Sequence, residues 1–250
     1  MTRCHVDAQH CAGRQQCCWR RQQCQRAGTQ PVHRQVQRWQ LSKPQDEGDW
    51  VAANECGVGN SERDQNSTCH DSHVAGTIGG AANDNYGIPG IAPESKIQPL
   101  RVLGRCGGRT SDITDAITYE VPGLATNPTP ARVINLSLGG PSATCPRVYQ
   151  DAIDAAVARG TTVVVAAGNS AKDAQYSTPA NCSNVVVVGS VGSDGSQAYY
   201  SNYGSRITLS GQGGDLKNNQ GTLSTINTGK TTPVGPGWGA FQGTSMVARP

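Results

Sequence analysis

The apolar positions of this chain fall into two regimes. From Glu94 onward, short β-branched runs alternate with stretches of helical spacing. Lys96–Leu103 (KIQPLRVL), Val133–Leu138 (VINLSL), Thr162–Ala167 (TVVVAA) and Asn184–Val188 (NVVVV) read as strands. Such continuous runs suit strands buried on both faces, as in a parallel sheet. Between them, Arg147–Arg159 places Val148, Ala152 and Ala155, and also Tyr149, Ile153 and Ala156, at helical spacing, with Gly160 as a natural residue to stop the helix. Ser111–Val121 predicts a second helix, capped by Ser111. Alternating strand and helix imply an α/β fold: a mostly parallel central sheet with helices on both faces and a site at the carboxyl ends of the strands. On that reading Asn169, just after the Thr162 run, and Ser137, near the end of the Val133 run, converge on one rim.

The first 43 residues follow neither period. They hold eight Arg and Lys against a single acid, Asp7, together with ten Gln and five of the ten cysteines. The net charge of +3 therefore belongs to this stretch, and the remainder is acidic, with thirteen basic against seventeen acidic residues. Cys4, His5, His10, Cys11, Cys17, Cys18 and Cys24 lack the paired spacing of a zinc site. The arginines come without the aromatic platform of a nucleic-acid binder, so no nucleic-acid partner is expected. No run of 18 apolar residues occurs, which predicts no membrane span, and the first 25 residues lack the apolar core of a signal peptide.

Three motifs carry the chemistry: CHDSHVAGTIGG around His70, VVVAAGNS around Asn169, and QGTSMVA around Ser245. A serine hydroxyl is a poor nucleophile until an imidazole takes its proton, and the resulting oxyanion needs preorganised donors. The three motifs, in this order, resemble those of the subtilases, the subtilisin-like serine peptidases. The resemblance implies His70 as general base, Asn169 as oxyanion-hole amide and Ser245 as nucleophile. It runs from about Asp46 to Ala248 and is supported by Gly48–Gly57, Arg101–Ile113 and Val133–Gly140. Its wording is closest to secreted bacterial members with extra disulfides. Ser137, Leu138 and Gly139 resemble the strand that pairs with substrate backbone, and Gly107–Ser111 the opposite rim. Asp71 and Ser72 depart from the usual Gly and Thr.

Subtilases carry their acid at the end of a buried apolar strand, in a V-x-D-[ST]-G context, and no such string lies upstream of His70. Asp7 stands at a suitable distance but lacks the strand. Asp71, adjacent to the base, is expected to diverge from it, because neighbouring helical side chains point apart. Residues 1–45 are therefore expected to be an irregular segment outside the family, as a shifted reading frame would produce. Residues 46–250 are expected to form the catalytic domain, incomplete at its C-terminal end. The resemblance further implies disulfides Cys56–Cys106 and Cys145–Cys182, with Cys69 left over, an exported monomer, and catalysis without a cofactor. A structural calcium is a further possibility of the family. Asn83, Asp84 and Asn85 carry suitable oxygens, although a solvated turn accounts for them more simply. Two functions follow: a secreted serine endopeptidase acting on peptides or proteins, or an inactive, truncated fragment that keeps a peptide-binding groove.

Overall fold

The computed structural model describes residues 49–56, 65–83, 85, 87–104, 106–123, 127–232 and 234–248. Asp7, Asp84 and the proposed segment 1–45 lie outside them. The chain divides into two compact units, Met1–Ile113 with Ser224–Gly239, and Thr114–Leu223 with Ala240–Pro250.

In the second unit, β1 (Val133–Leu136), β3 (Thr162–Ala166), β5 (Val186–Val191) and β6 (Leu209–Gln212) form a sheet in the order β1-β3-β5-β6. All three pairings are parallel, with Val133 opposite Thr162, Val164 opposite Val186 and Val188 opposite Leu209. Val163 to Ala166 are all buried, as an interior parallel strand requires. Successive side chains of a strand face opposite ways. Val164 and Ala166 accordingly join Val188, Val247 and Ala248 in one buried cluster, so Val247 and Ala248 are packed on the sheet. A short ladder, β2 (Gly140–Pro141) against β4 (Ser177–Thr178), stands beyond the main sheet.

The helix α3 (Arg147–Val157) packs on β3 and buries Tyr149, Ala152, Ile153 and Ala156. The stripe through Tyr149 is thus the inward one, and Val148 is exposed. Gly160 adopts φ +86°. Its N–H donates to Val157 O, and the Thr161 N–H donates to Ala156 O. These two bonds close the helix and satisfy carbonyls it would otherwise leave unpaired, with glycine free of the Cβ clash that φ imposes. The disulfide Cys145–Cys182 lies in this unit and Cys56–Cys106 in the other, as the resemblance implies. Loops of this length are worth at most roughly 4 kcal/mol each by restricting the unfolded chain.

Three expectations about elements are corrected. Lys96–Leu103 carries no ladder and is not a strand; Pro99 in its middle lacks the N–H that a central strand must donate. The helix α2 spans Thr110–Tyr119, so Ser111 lies inside it and does not cap it. The run at Asn184 enters the sheet only at Val186 and continues to Val191, because its last residues pair with β6.

Just beyond α2, Glu120 is buried, its Oε2 accepting the Ala131 N–H at 2.8 Å. Burial pushes its carboxyl above the ordinary value, against the opposing effect of hydrogen bonds from Ala131 and Asn127. The folded state therefore holds this proton more tightly than the unfolded state. The charge costs stability as pH rises from the ordinary value of 4.5 through the raised one, and costs nothing below 4.5. Glu120→Gln keeps the acceptor without the charge. It is expected to raise Tm at pH 7–8, with the gain vanishing near pH 4; a gain that persists in acid would exclude burial of the charge as its cause.

In the first unit, α1 (His70–Gly79) lies on the Ser224–Asn227 part of β7 (Thr222–Asn227), which forms a two-stranded sheet with β8 (Pro236–Phe241). Ser224 Oγ donates to His73 O and Thr225 Oγ1 to Ser72 O, both at 2.8 Å. A Cβ on Gly76 would lie 2.3 Å from Thr225 Oγ1, so only glycine permits this approach.

Candidate active site

The nucleophile candidate is built in the second unit. After β8 the chain passes Gly243, at φ +154°, into a single 3-10 turn, Thr244–Met246. Ser245 is buried in that turn, its Oγ donating to Ser137 O at 3.3 Å, while Ser137 Oγ donates to Ser245 O at 3.1 Å. This reciprocal pair ties the turn to the end of β1. The strand stops at Leu136, two residues earlier than the apolar run suggests. Ser137, Leu138 and Gly139 therefore continue it without ladder partners of their own, leaving main-chain groups at a sheet rim.

Asn169 sits beside the same turn. Its Oδ1 accepts the Thr244 N–H and the Thr244 hydroxyl, both at 2.9 Å, and the Thr244 Oγ1 accepts the Gly168 N–H at 3.1 Å. A main-chain N–H can only donate, so the atom facing Thr244 must be the amide oxygen. The NH2 end is thereby left as the donor that Asn169 can offer. A Cβ on Gly168, at φ +105°, would lie 2.4 Å from Asn202 Nδ2, so glycine permits the close approach of this loop to Asn202. Sequence reasoning did not single out Asn202: it lies in the polar stretch Ser201–Gly204, which reads as a turn, and main-chain binding by a side chain leaves no periodic trace.

His70 opens α1 in the first unit. The residue before it, Cys69, is buried and in the left-handed region at φ 49°, and it supplies no side-chain cap. Thr68 fills that role: its Oγ1 accepts the His70 N–H at 3.2 Å. Thr68 is in turn held by Asp49, whose carboxylate accepts the Thr68 N–H at 3.0 Å and also the hydroxyls of Thr68 and Ser67. Val51 and Gln65 exchange both main-chain bonds, which sets Asp49 opposite Ser67. The signal available for Asp49 was only its presence among the upstream carboxylates.

The expectation that the Asp71 side chain diverges from His70 is corrected. Its Oδ1 lies 3.3 Å from His70 Nδ1. Both residues sit in the exposed first turn, with side chains 32% and 62% exposed, where rotamers are not confined by a preceding turn. The second imidazole of the motif, His73, is fully buried and has a structural place. Its Nε2 donates to Gly239 O at 3.0 Å, and its N–H donates to Cys69 O. Asn83 and Asn85 are exposed at left-handed φ of 62° and 58°, a turn geometry. Among the described residues no three His, Cys, Asp or Glu side chains cluster as metal ligands. No helix among them is long and apolar enough to cross a membrane.

The rim of the parallel sheet thus brings together a buried serine, an asparagine amide clamped by the residue before that serine, and a strand end without ladder partners among the described residues. A profile of the subtilase family matches residues 7–248, and the chain belongs to that family of serine peptidases. It is 47% identical over 211 residues to the extracellular protease of Xanthomonas campestris pv. campestris, which covers 83% of this chain and 35% of that protein. With the extracellular basic protease of Dichelobacter nodosus it shares 41% identity over 213 residues, covering 83% and 34%. Among solved structures, a protease of Pseudoalteromonas arctica PAMC 21717 superposes with a TM-score of 0.76 at 46% identity, covering 83% of this chain and 62% of that one. A cold-adapted subtilisin-like serine proteinase gives 0.54 at 29%. The chain spans about a third of the length of the two extracellular proteases named here.

Proposed function

We propose that the chain is a secreted serine endopeptidase in which Ser245 attacks the peptide carbonyl, His70 takes the Ser245 proton, and the NH2 of Asn169 donates to the oxyanion. Ser137, Leu138 and Gly139 pair with the backbone of an extended substrate, which favours peptide binding with little sequence preference. Catalysis uses side chains and main-chain donors without a cofactor. The enzyme acts as a monomer, with no nucleic-acid or membrane partner. Two disulfides fit an oxidising compartment, and the two relatives named above are extracellular proteases.

The observation that carries this reading is the Thr244–Asn169 pair. It fixes the orientation of the amide one residue from the nucleophile, as a preorganised oxyanion donor requires. At rest the Ser245 proton points to Ser137 O, so attack requires that bond to be exchanged for one to the base. The test is covalent: a fluorophosphonate probe is expected to label the 250-residue protein at Ser245, found by mass spectrometry of the modified peptide. Labelling elsewhere, or none above that of Ser245→Ala, would remove Ser245 from the reaction.

A further inference from the structure

The segment Tyr200–Asn202, between β5 and β6 in the second unit, sends side chains to two places. Asn202 is buried and all of its polar side-chain atoms contact the Asn169 loop. Its Oδ1 accepts the N–H groups of Ser170 and Lys172 at 3.0 and 3.2 Å, and its Nδ2 donates to Ala167 O at 2.8 Å. Its own N–H donates to Gly168 O at 2.9 Å. Four main-chain groups, on both sides of Asn169, are therefore held by one residue. Tyr200 works toward the nucleophile. Its hydroxyl shares the Gly243 N–H, two residues before Ser245, at 3.1 Å with Gly213 O at 2.9 Å, and donates to Gly214 O at 2.7 Å, with Ser190 Oγ at 2.8 Å. Ser201 anchors the segment to β5: its Oγ accepts the Ser190 N–H and donates to Asn202 O, both at 2.9 Å.

We propose that Tyr200 and Asn202 are positioning residues for peptide hydrolysis. Asn202 holds the loop that carries Asn169, Tyr200 holds the segment that carries Ser245, and the backbone between them fixes the separation of oxyanion donor and nucleophile. The proposal rests on the assignment of Asn169 and Ser245 above. Displacements near 1 Å at such a site cost about 10²-fold in rate, so a side chain that touches no substrate can still control turnover. Burial, with the nearby charges of Asp215 and Tyr199, keeps the Tyr200 phenol above its ordinary pKa against the lowering effect of its bonds to Ser190 and Gly243. The hydroxyl thus stays protonated and able to donate to Gly214 O across the working range of pH.

A purely space-filling role would lower stability without changing how the site discriminates a tetrahedral adduct from a bound peptide. Two measurements on the 250-residue protein separate the roles. Amide hydrogen exchange, which needs no activity, is expected to quicken at least tenfold at Ser170 and Lys172 in Asn202→Ala, and to a smaller extent at Gly243 in Tyr200→Phe, whose amide keeps its bond to Gly213 O, with Val163 and Val187 unchanged. Asn202→Asp keeps the acceptor and is expected to restore protection at Ser170 and Lys172. In Asn202→Ala, affinity for a peptide boronate, which forms a tetrahedral adduct on serine, is expected to fall about 10- to 100-fold. The same peptide with a plain carboxamide end should change less than twofold. Unchanged exchange at these amides, or equal weakening of both ligands, overturns the proposal. Should Asn202→Ala fail to fold, Asn202→Ser carries the same two readouts. A wild-type protein that binds neither ligand overturns the peptidase reading itself, and the exchange measurement still decides whether the clamp exists.

Discussion

With a supporting acid in place, Ser245→Ala and His70→Ala are each expected to lower kcat for a peptide substrate by about 10⁶, and the double variant by no more than either alone. A serine without its base is barely nucleophilic, and the base without the serine has nothing to activate, so the two losses describe one event and do not add. The magnitude is the one known for subtilisin and is carried over to this relative. Its size here also reports on the acid. A base lacking a supporting carboxylate begins about 10⁴ lower, which leaves only about 10² for Ser245→Ala to remove. Asp71, the carboxylate at His70 Nδ1 among the described residues, forms an exposed pair, and such pairs contribute less than about 1 kcal/mol. Asp71→Gly is accordingly expected to change kcat by less than tenfold. Steady-state kinetics of the four variants checks the set. A loss near 10⁴ on removing Asp71 would make it the acid of the triad.

The parts of the fold that were legible in the sequence are those whose burial leaves a pattern. The valines of β3 are buried on both faces, as in an interior strand, and β1 turns Ile134 and Leu136 inward. The stripe Tyr149, Ile153, Ala156 of α3 followed by Gly160 marks both a face and an end. β6 left no such trace: Leu209–Gln212 is exposed at three of its four positions and joins the sheet by main-chain bonds alone. Lys96–Leu103 misled in the opposite way. Its apolar residues suit burial, but Pro99 cannot donate, so apolar content and ladder formation come apart there.

The site divides along the same line. His70, Asn169 and Ser245 could be proposed from the sequence because nucleophilic chemistry demands those side chains in a recognisable local wording. The residues that hold them act through main-chain groups, and a hydrogen bond to a peptide N–H imposes no motif. Asn202, Tyr200, Thr68 and Asp49 were invisible as a set for that reason. The error over Asp71 was one of position. The divergence of adjacent side chains holds within a helix, whereas His70 and Asp71 occupy its open first turn, where the side chains are free to converge.

Asn169→Ala is expected to reduce kcat by about 10²–10³, the range known for the oxyanion-hole asparagine of subtilisin, with KM changed little. The geometry supplies the reason for the split. With Oδ1 committed to the Thr244 N–H and hydroxyl, the amide cannot turn its oxygen toward an incoming carbonyl, and the NH2 meets the substrate oxygen only as that oxygen acquires charge. On the proposed roles the bond therefore strengthens in the transition state and its loss lowers kcat, whereas substrate affinity is assigned to backbone pairing along Ser137–Gly139. Asn169→Asp provides the sharper variant. It preserves the acceptor for Thr244 but replaces the donor with a carboxylate oxygen that repels the oxyanion, so its kcat should fall at least as far as that of the alanine variant. Kinetics with one peptide substrate across pH 6–9 measures both. A rise in KM with kcat unchanged would place Asn169 in ground-state binding, and an aspartate variant as active as wild type would take it out of the oxyanion site.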